Sequence, residues 1–163
     1  MSFIIKLLNY FYYKTGKEYN IGKIDGKKFI YRYETILDYI EHDVFGAMLE
    51  SVVLFQRISF KVIVINNIYD HYDDDTKKFI IYHELGHKYL HLNENFDKEY
   101  ITNEDTIRVE NEVDEYVVKR LGWKTTHRAL IKILNNTLIN KPKNEVLVDS
   151  IKARIQYLEI NKD

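Results

Sequence analysis

Apolar positions near the start of the chain predict a helix. The run from Phe3 to Tyr13 is apolar apart from Lys6 and Asn9, and it predicts a buried helix over about residues 2–14. This run is too short to cross a bilayer, and it lacks the basic start and the small-residue cleavage site of a signal peptide. We therefore expect neither a membrane span nor secretion, and we favour a buried helix over the alternative of a membrane-surface anchor.

Strand and turn signals follow in the remainder of the first 66 residues. Three glycines over Gly16–Gly26 predict a turn region, and the β-formers of Lys27–Tyr33 predict a strand. Apolar residues at helical spacing over Glu34–His42 predict a short helix. Phe60–Ile65 is the densest run of β-branched residues and therefore the clearest strand.

The second half of the chain is predicted to be nearly all helical. Asp73–Thr76 supplies N-cap candidates and negative charge for a helix over about residues 75–92. A polar stretch over 93–103 predicts a loop. The next helix, over residues 102–121, has an apolar stripe with four-residue spacing: Val109, Val113, Val117 and Leu121.

Two further helices complete the pattern. Gly122 suits the position after a helix end, and Thr125 or Thr126 is a candidate cap for a helix to about residue 138. A turn around Pro142 then precedes a last helix over 145–160. The prediction is an α+β fold, with a small mixed N-terminal part that carries a short sheet and a mainly helical C-terminal half.

Composition narrows the class of protein and the chemistry of any site. A length of 163 residues suits one domain, and a net charge of −1 gives no electrostatic reason to expect nucleic-acid binding. The chain has no cysteine, which excludes disulfides and thiolate ligands and fits a reducing, cytoplasmic compartment. Any metal ion must therefore be held by His, Asp or Glu.

The most specific motif is His83-Glu84-Leu85-Gly86-His87. Residues four apart share one face of a helix, so both imidazoles can reach one Zn²⁺ at about 2.0–2.1 Å each. Glu84 leaves the helix about 100° away from His83, so it flanks the metal without binding it. From there its carboxylate can take a proton from a zinc-bound water, whose pKa the metal lowers to about 7.

The surroundings of this motif indicate a buried helix. The apolar residues of Phe79–Tyr82 lead into it, and buried His and Glu side chains need partners, which a metal ion supplies. Gly86 costs roughly 1 kcal/mol against alanine inside a helix. We therefore expect a second helix to approach closely at Gly86.

His91 is one candidate for a third ligand, since it lies one turn beyond His87. Three ligands along one face of a helix do not surround a tetrahedral ion, however. The spacing also differs from that of metzincins, which would place glycine and histidine where Leu90 and Asn93 stand. We therefore interpret His91 as a structural residue or as a support for the ligands.

Glu110 is the favoured third ligand, with Asp114 four residues later on the same helix face. Two histidines and Glu110 leave a fourth position open for water, and Asp114 can accept a hydrogen bond from a ligating imidazole. Glu112 is the competing ligand. If Val113 and Val117 pack inward, Glu110 and Asp114 lie beside them, whereas Glu112 and Glu115 face solvent.

These residues resemble those of gluzincin metallopeptidases, in which a His-Glu-x-x-His helix is followed by a helix with a ligand Glu and, four residues later, Asp or Asn. The chain is similar to two branches, the HtpX/CAAX-prenyl-protease family and the ImmA/IrrE family of small soluble peptidases. The likeness covers about residues 60–160, over Val62–Leu92, Val109–Leu121 and Lys152–Leu158. Residues 1–59 resemble nothing that we can place.

The resemblance implies one zincin-like domain over residues 1–163, with Zn²⁺ as cofactor and residues 60–160 as its core. Val113, Val117 and Val118 replace small residues of the HtpX pattern, and the transmembrane helices of HtpX-type enzymes are missing. We therefore expect a soluble minimal peptidase that cleaves a protein or peptide, in a regulatory role like that of ImmA. The alternatives are a non-catalytic zinc-containing module that binds a partner protein, and a helical scaffold without metal.

Two further hypotheses concern substrate binding and catalysis. Phe60–Ile65 is a candidate edge strand that would hold an extended substrate by strand addition. A donor for the oxyanion is also expected in such an enzyme. The sequence offers four candidates without choosing among them: His127, Tyr116, Tyr72 and Arg120.

Overall fold

The computed structural model describes residues 3–34, 47–54, 58–66, 70–90, 103–140 and 145–162. These residues form an α+β fold with five α-helices and one four-stranded mixed sheet. The chain divides into two compact units, residues 1–71 and 72–163. The elements are α1 (Phe3–Tyr12), β1 (Asn20–Ile24), β2 (Lys27–Glu34), β3 (Ala47–Leu54), β4 (Ile58–Asn66), α2 (Asp74–Leu90), α3 (Asn103–Leu121), α4 (Trp123–Asn140) and α5 (Glu145–Ile160).

The first unit packs α1 on the sheet, whose strand order is β1-β2-β4-β3. β2 and β4 are parallel, and the two outer pairs are antiparallel. Ile5 and Leu8 of α1 share a buried cluster with Val52, Leu54 and Val62 of β3 and β4. The predicted N-terminal helix is therefore confirmed, with a short 3₁₀ turn after it, but it is buried only along the face of Ile5 and Leu8, since Phe3 and Tyr10 are exposed.

The predicted strands at 27–33 and 60–65 are confirmed as β2 and β4. The turn region predicted over Gly16–Gly26 is confirmed only at its two ends, where Gly16 and Gly26 have a positive φ; between them the prediction is wrong, because β1 occupies Asn20–Ile24 and pairs with β2. Gly22 lies under the Phe29 ring, where an added Cβ would come within 2.2 Å of Cζ. The glycine that suggested a turn thus makes room for an aromatic side chain on the neighbouring strand.

β4 is a central strand, so the hypothesis that it forms a sheet edge is wrong. β2 pairs with one side of β4 and β3 with the other, which leaves neither side free to add a substrate strand. The continuous buried run from Val62 to Asn66 is typical of a strand covered on both faces. Of the predicted helix at 34–42, Glu34 ends β2, and the remaining residues lie outside those described.

The second unit contains α2 to α5. Asp73 caps α2, because its Oδ1 accepts a hydrogen bond from the backbone N–H of Thr76 at 2.9 Å. The helices predicted over 75–92, 102–121 and 145–160 are confirmed as α2, α3 and α5. Asn103, the last residue of the loop predicted over 93–103, begins α3, and the rest of that loop and residues 141–144 around Pro142 lie outside the described residues.

α4 begins earlier than the sequence predicts. Gly122 adopts a φ of 80° and ends α3, and α4 begins at the next residue, Trp123. Neither Thr125 nor Thr126 caps the helix, so this prediction is wrong. The Thr126 hydroxyl instead donates to the Gly122 carbonyl at 3.1 Å, within the first turn.

A polar contact and a shared apolar core fasten α5 to the rest of the second unit. The Trp123 indole N–H donates to the Leu158 carbonyl at 2.8 Å. Apolar residues from each of the four helices are buried, among them Leu85, Val113, Val117, Leu130, Ile151 and Ile155. Within the described part of the chain, no helix combines the length and the apolar character needed to cross a membrane.

Candidate metal centre

Gly86 lets α3 approach α2 at the histidine motif. A Cβ built on Gly86 would lie 2.8 Å from Val113 Cγ1 and 3.3 Å from Tyr116 Cδ1, so a larger residue would collide with α3. Val113 is completely buried. The close approach expected from the glycine is therefore present, and it brings Glu110, one turn before Asp114, towards the histidines.

Three side chains converge at this crossing: His83, His87 and Glu110. The two Nε2 atoms lie 3.2 Å apart. Glu110 Oε2 lies 3.1 Å from His83 Nε2, and Glu110 Oε1 lies 3.3 Å from His87 Nε2. In a tetrahedral zinc site with bonds of about 2.0–2.1 Å, neighbouring ligand atoms lie about 3.3–3.4 Å apart, so the two Nε2 atoms already have nearly this spacing, and each faces a different oxygen of Glu110 at a similar distance.

Electrostatics also favours a cation between these donors. Two imidazole nitrogens and a carboxylate bring lone pairs together, which repel one another unless a proton or a metal ion lies between them. Burial and Arg154 oppose protonation of His83, but Glu110 and Asp114 outweigh them and raise the pKa of His83 to about 9. Burial and the neighbouring His83 hold the pKa of His87 below its usual value. In the absence of a metal ion, positive charge is therefore favoured on His83 and disfavoured on His87.

Asp114 fixes the orientation of His83. It is completely buried, and its Oδ1 lies 3.1 Å from His83 Nδ1. When Nδ1–H donates to this carboxylate, the lone pair of Nε2 points to His87 and Glu110. This is the contact that the four-residue spacing of Glu110 and Asp114 suggested.

Sequence reasoning missed Arg154 of α5 as a member of the site. Its Nε and Nη2 donate to the two oxygens of Asp114, each at 2.7 Å, and its Nη1 lies 3.0 Å from Glu110 Oε2. Burial would raise the pKa values of Glu110 and Asp114, but Arg154 and His83 outweigh it and lower both. The sequence did contain a signal for Arg154, because it is a cation that lies among Ile151, Ile155 and Leu158, the buried apolar residues of α5. A buried carboxylate such as Asp114 requires a partner of this kind.

Glu84 lies near these groups but is not one of the three converging donors. It is buried, with 8% of its surface exposed, and its charge contributes to raising the pKa of Arg154. Glu112 forms an ion pair with Arg108 at 2.7 Å on a solvent-exposed part of α3. Glu115 accepts a hydrogen bond from Tyr157 at 2.5 Å, and His91 lies outside the described residues.

The four residues offered as candidate helpers, the donors for the oxyanion, make the following contacts. His127 stacks on Trp123 at 4.6 Å between ring centroids, and its Nε2 lies 2.9 Å from Glu159 Oε1. Tyr72 accepts a hydrogen bond from Asn136 at 2.9 Å. Arg120 lies over the ring of Tyr116 and donates to its carbonyl, and Tyr116 also packs beside Tyr89.

Comparison with protein-family models, with curated proteins and with solved structures finds no match for this chain. Its function must therefore be argued from the converging side chains themselves.

Proposed function

We propose that this chain is a zinc-dependent peptidase of the gluzincin type, with a zincin-like fold, that hydrolyses a protein or peptide substrate. His83, His87 and Glu110 would hold the ion. The observation that carries the proposal is their convergence from two consecutive helices: the two Nε2 atoms lie 3.2 Å apart, and each lies 3.1–3.3 Å from one oxygen of Glu110. The donor set suits zinc, which favours imidazole and carboxylate ligands in tetrahedral sites.

A catalytic role is supported by the number of proposed ligands and by Glu84, which is not a ligand. Three protein ligands are the number found in catalytic zinc sites, whereas structural sites usually close with four. When bound, zinc polarises a carbonyl and acidifies a coordinated water. Glu84 adjoins the first ligand, and a buried carboxylate at that position can take the proton of the attacking water and deliver it to the leaving amine.

Asp114 and the helix crossing support the same function. Asp114 would keep the lone pair of His83 Nε2 directed at the ion through its 3.1 Å contact with Nδ1. Gly86 would keep α2 and α3 close enough for one ion to be shared between them. Both roles are consistent with a rigid site that is organised before a substrate arrives.

The test compares the wild-type protein with Glu84→Gln. Glutamine keeps the size of the side chain but cannot act as a base. We expect both proteins to bind one zinc ion, measured by elemental analysis after dialysis, and only the wild type to cleave a fluorescence-quenched peptide library. If zinc is bound and neither protein cleaves, or both cleave equally, the catalytic proposal fails, and the first of these results would favour a non-catalytic zinc module.

A further inference from the structure

Arg154 joins the last helix to the candidate metal centre through three side chains. Its guanidinium contacts both oxygens of Asp114, Oε2 of Glu110 and, at 3.2 Å, Nδ1 of His83. Only 12% of the Arg154 side chain is exposed, and Asp114 is completely buried. These groups form one connected network in which both Arg154 and His83 contact each of the other members.

A cation in this place has an unexpected electrostatic consequence. Arg154 Nη1 lies 3.0 Å from Glu110 Oε2, the oxygen that also faces His83 Nε2. By charge alone, a fixed guanidinium beside the donors should repel a divalent ion, and it should compete for the Glu110 carboxylate. If charge were its only effect, removing Arg154 would strengthen metal binding.

The geometry of the network indicates the opposite effect. Asp114 Oδ1 is approached by two donors, Arg154 Nη2 at 2.7 Å and His83 Nδ1 at 3.1 Å. The 3.2 Å contact between those two nitrogens follows from their meeting on one oxygen. The second contact, from Nε to Oδ2, fixes the carboxylate in its plane, because a guanidinium holds a carboxylate by two parallel hydrogen bonds.

The third arm of the guanidinium positions the proposed ligand on α3. Glu110 and Asp114 are like charges one helical turn apart, which repel each other in a buried setting. Arg154 contacts both and offsets this repulsion, while Glu110 Oε1 stays 3.3 Å from His87 Nε2. Lysine has a single ammonium group and does not reproduce such a fork.

We propose that Arg154 is a positioning residue that holds Asp114 and Glu110 in place, so that His83 keeps its Nδ1 proton and the donors stay converged for the metal. The metal centre then depends on α5 as well as on α2 and α3. This inference rests on the proposed metal site, but it concerns a residue that is not one of the three proposed ligands.

The main experiment measures the zinc dissociation constant of the wild type and of Arg154→Gln by competition with a chromogenic chelator. We expect the variant to bind zinc about 10–100-fold more weakly, which is the usual effect of losing a partner of a metal ligand. Lys152→Gln is the matched control, since Lys152 lies on the same helix, is exposed and contacts Asp149. Equal or tighter zinc binding by Arg154→Gln would overturn the proposal.

Two more variants separate positioning from charge and from folding. Arg154→Lys keeps the charge without the fork, and we expect it to remain at least about 10-fold weaker than the wild type. Zinc affinity equal to that of the wild type in Arg154→Lys would show that the charge alone is enough and would overturn the proposed positioning role. If circular dichroism shows that Arg154→Gln is unfolded because buried Asp114 has lost the guanidinium, the double variant Asp114→Asn/Arg154→Gln replaces it and is compared with Asp114→Asn alone. We expect the double variant to bind zinc more weakly than Asp114→Asn, and equal or tighter binding would overturn the proposal.

A spectroscopic measurement reports on His83 independently of affinity and activity. In zinc-loaded, ¹⁵N-labelled wild type we expect a slowly exchanging Nδ1 proton on His83, and in Arg154→Gln we expect this proton to exchange faster. An unchanged exchange rate would show that Asp114 holds His83 without Arg154. This result would contradict the proposed role of Arg154 but leave the proposed metal centre intact. A wild type that takes up no zinc would instead overturn the proposed metal centre and, with it, this role.

Discussion

Gly86 and Val113 are in direct contact across the α2–α3 crossing, and a methyl group on Gly86 would lie 2.8 Å from Val113 Cγ1. Valine is stiff about χ1 in a helix, so its side chain cannot easily turn away. The spacing of the two helices at this point therefore depends on the missing side chain of Gly86. The same spacing sets how closely Glu110 approaches His83 and His87.

The first prediction is that Gly86→Ala weakens both the fold and the metal centre. Alanine favours helix by about 1 kcal/mol over glycine. Overpacking a core typically costs about 1–3 kcal/mol. We expect a net loss of about 1 kcal/mol in the free energy of unfolding, measured with urea, and weaker zinc binding because the donors are pushed apart.

The control for this prediction is the double variant Gly86→Ala/Val113→Ala. Removing the Val113 methyl groups makes room for the new Cβ, so zinc affinity should return towards the wild-type value even if the fold stays less stable. Zinc affinity that is unchanged in Gly86→Ala alone would show that the helix spacing does not control the donors.

The second prediction distinguishes the two candidate ligands on α3. Glu110→Gln should lose zinc during dialysis, because the amide is a poorer ligand and carries no charge. Glu112→Gln serves as the matched variant, since Glu112 pairs with exposed Arg108. Elemental analysis should find zinc retained in Glu112→Gln. The assignment to Glu110 is wrong if the two variants behave in the opposite way.

The third prediction is that zinc uptake releases a proton. Glu110 and Asp114 raise the pKa of His83 to about 9 in the metal-free protein, so His83 is protonated at pH 7 and zinc must displace that proton. Apparent zinc affinity should therefore increase as pH rises from 7 towards 9, and this increase should level off above pH 9. Calorimetry at pH 7 in two buffers with different ionisation enthalpies should find about one proton released.

His83 also contributes to the stability of the metal-free protein, and this contribution falls as pH rises, whereas the zinc affinity increases. A raised pKa means that the folded state holds the proton more tightly than the unfolded state. The stabilisation is therefore fully present below about pH 6.5 and is lost as pH rises through 9. Proton release near zero at pH 7 would contradict this description of the metal-free site.

The fourth prediction concerns His127, one of the four candidate helpers. Its ring stacks on Trp123 and its Nε2 faces Glu159, so we expect His127 to serve the packing of α4 against α5. His127→Ala should lower the free energy of unfolding by about 0.5–1.5 kcal/mol, the usual value of an aromatic pair. Peptide cleavage by the zinc-loaded variant should stay within about twofold of the wild type; a fall of 100-fold or more, which is the scale of losing a transition-state donor, would restore His127 as a helper.

Local signals explain what the sequence could predict. The helix of the histidine motif follows from its cap at Asp73 and its apolar face, and α5 from its own periodicity. The candidate donors were identifiable because residues four apart share a helix face whatever the fold. These features depend on neighbours within one or two turns.

The features that sequence reasoning missed depend on contacts between distant segments. β1 is five residues long and contains a glycine, so its pairing with β2 and the Phe29 ring decide its structure rather than its own propensity. β3 was not predicted, and it forms by pairing with β4. Arg154 lies 40 residues beyond Asp114, and no local pattern joins the two.

The proposed function depends most directly on an ion bound by His83, His87 and Glu110. Anomalous diffraction from crystals of the zinc-loaded protein, collected above and below the zinc absorption edge, locates such an ion without reference to activity. We predict one strong anomalous peak within about 2.0–2.2 Å of both Nε2 atoms and of one Glu110 oxygen. A peak at other side chains, or no peak in a protein fully incubated with zinc, would contradict the proposed metal centre.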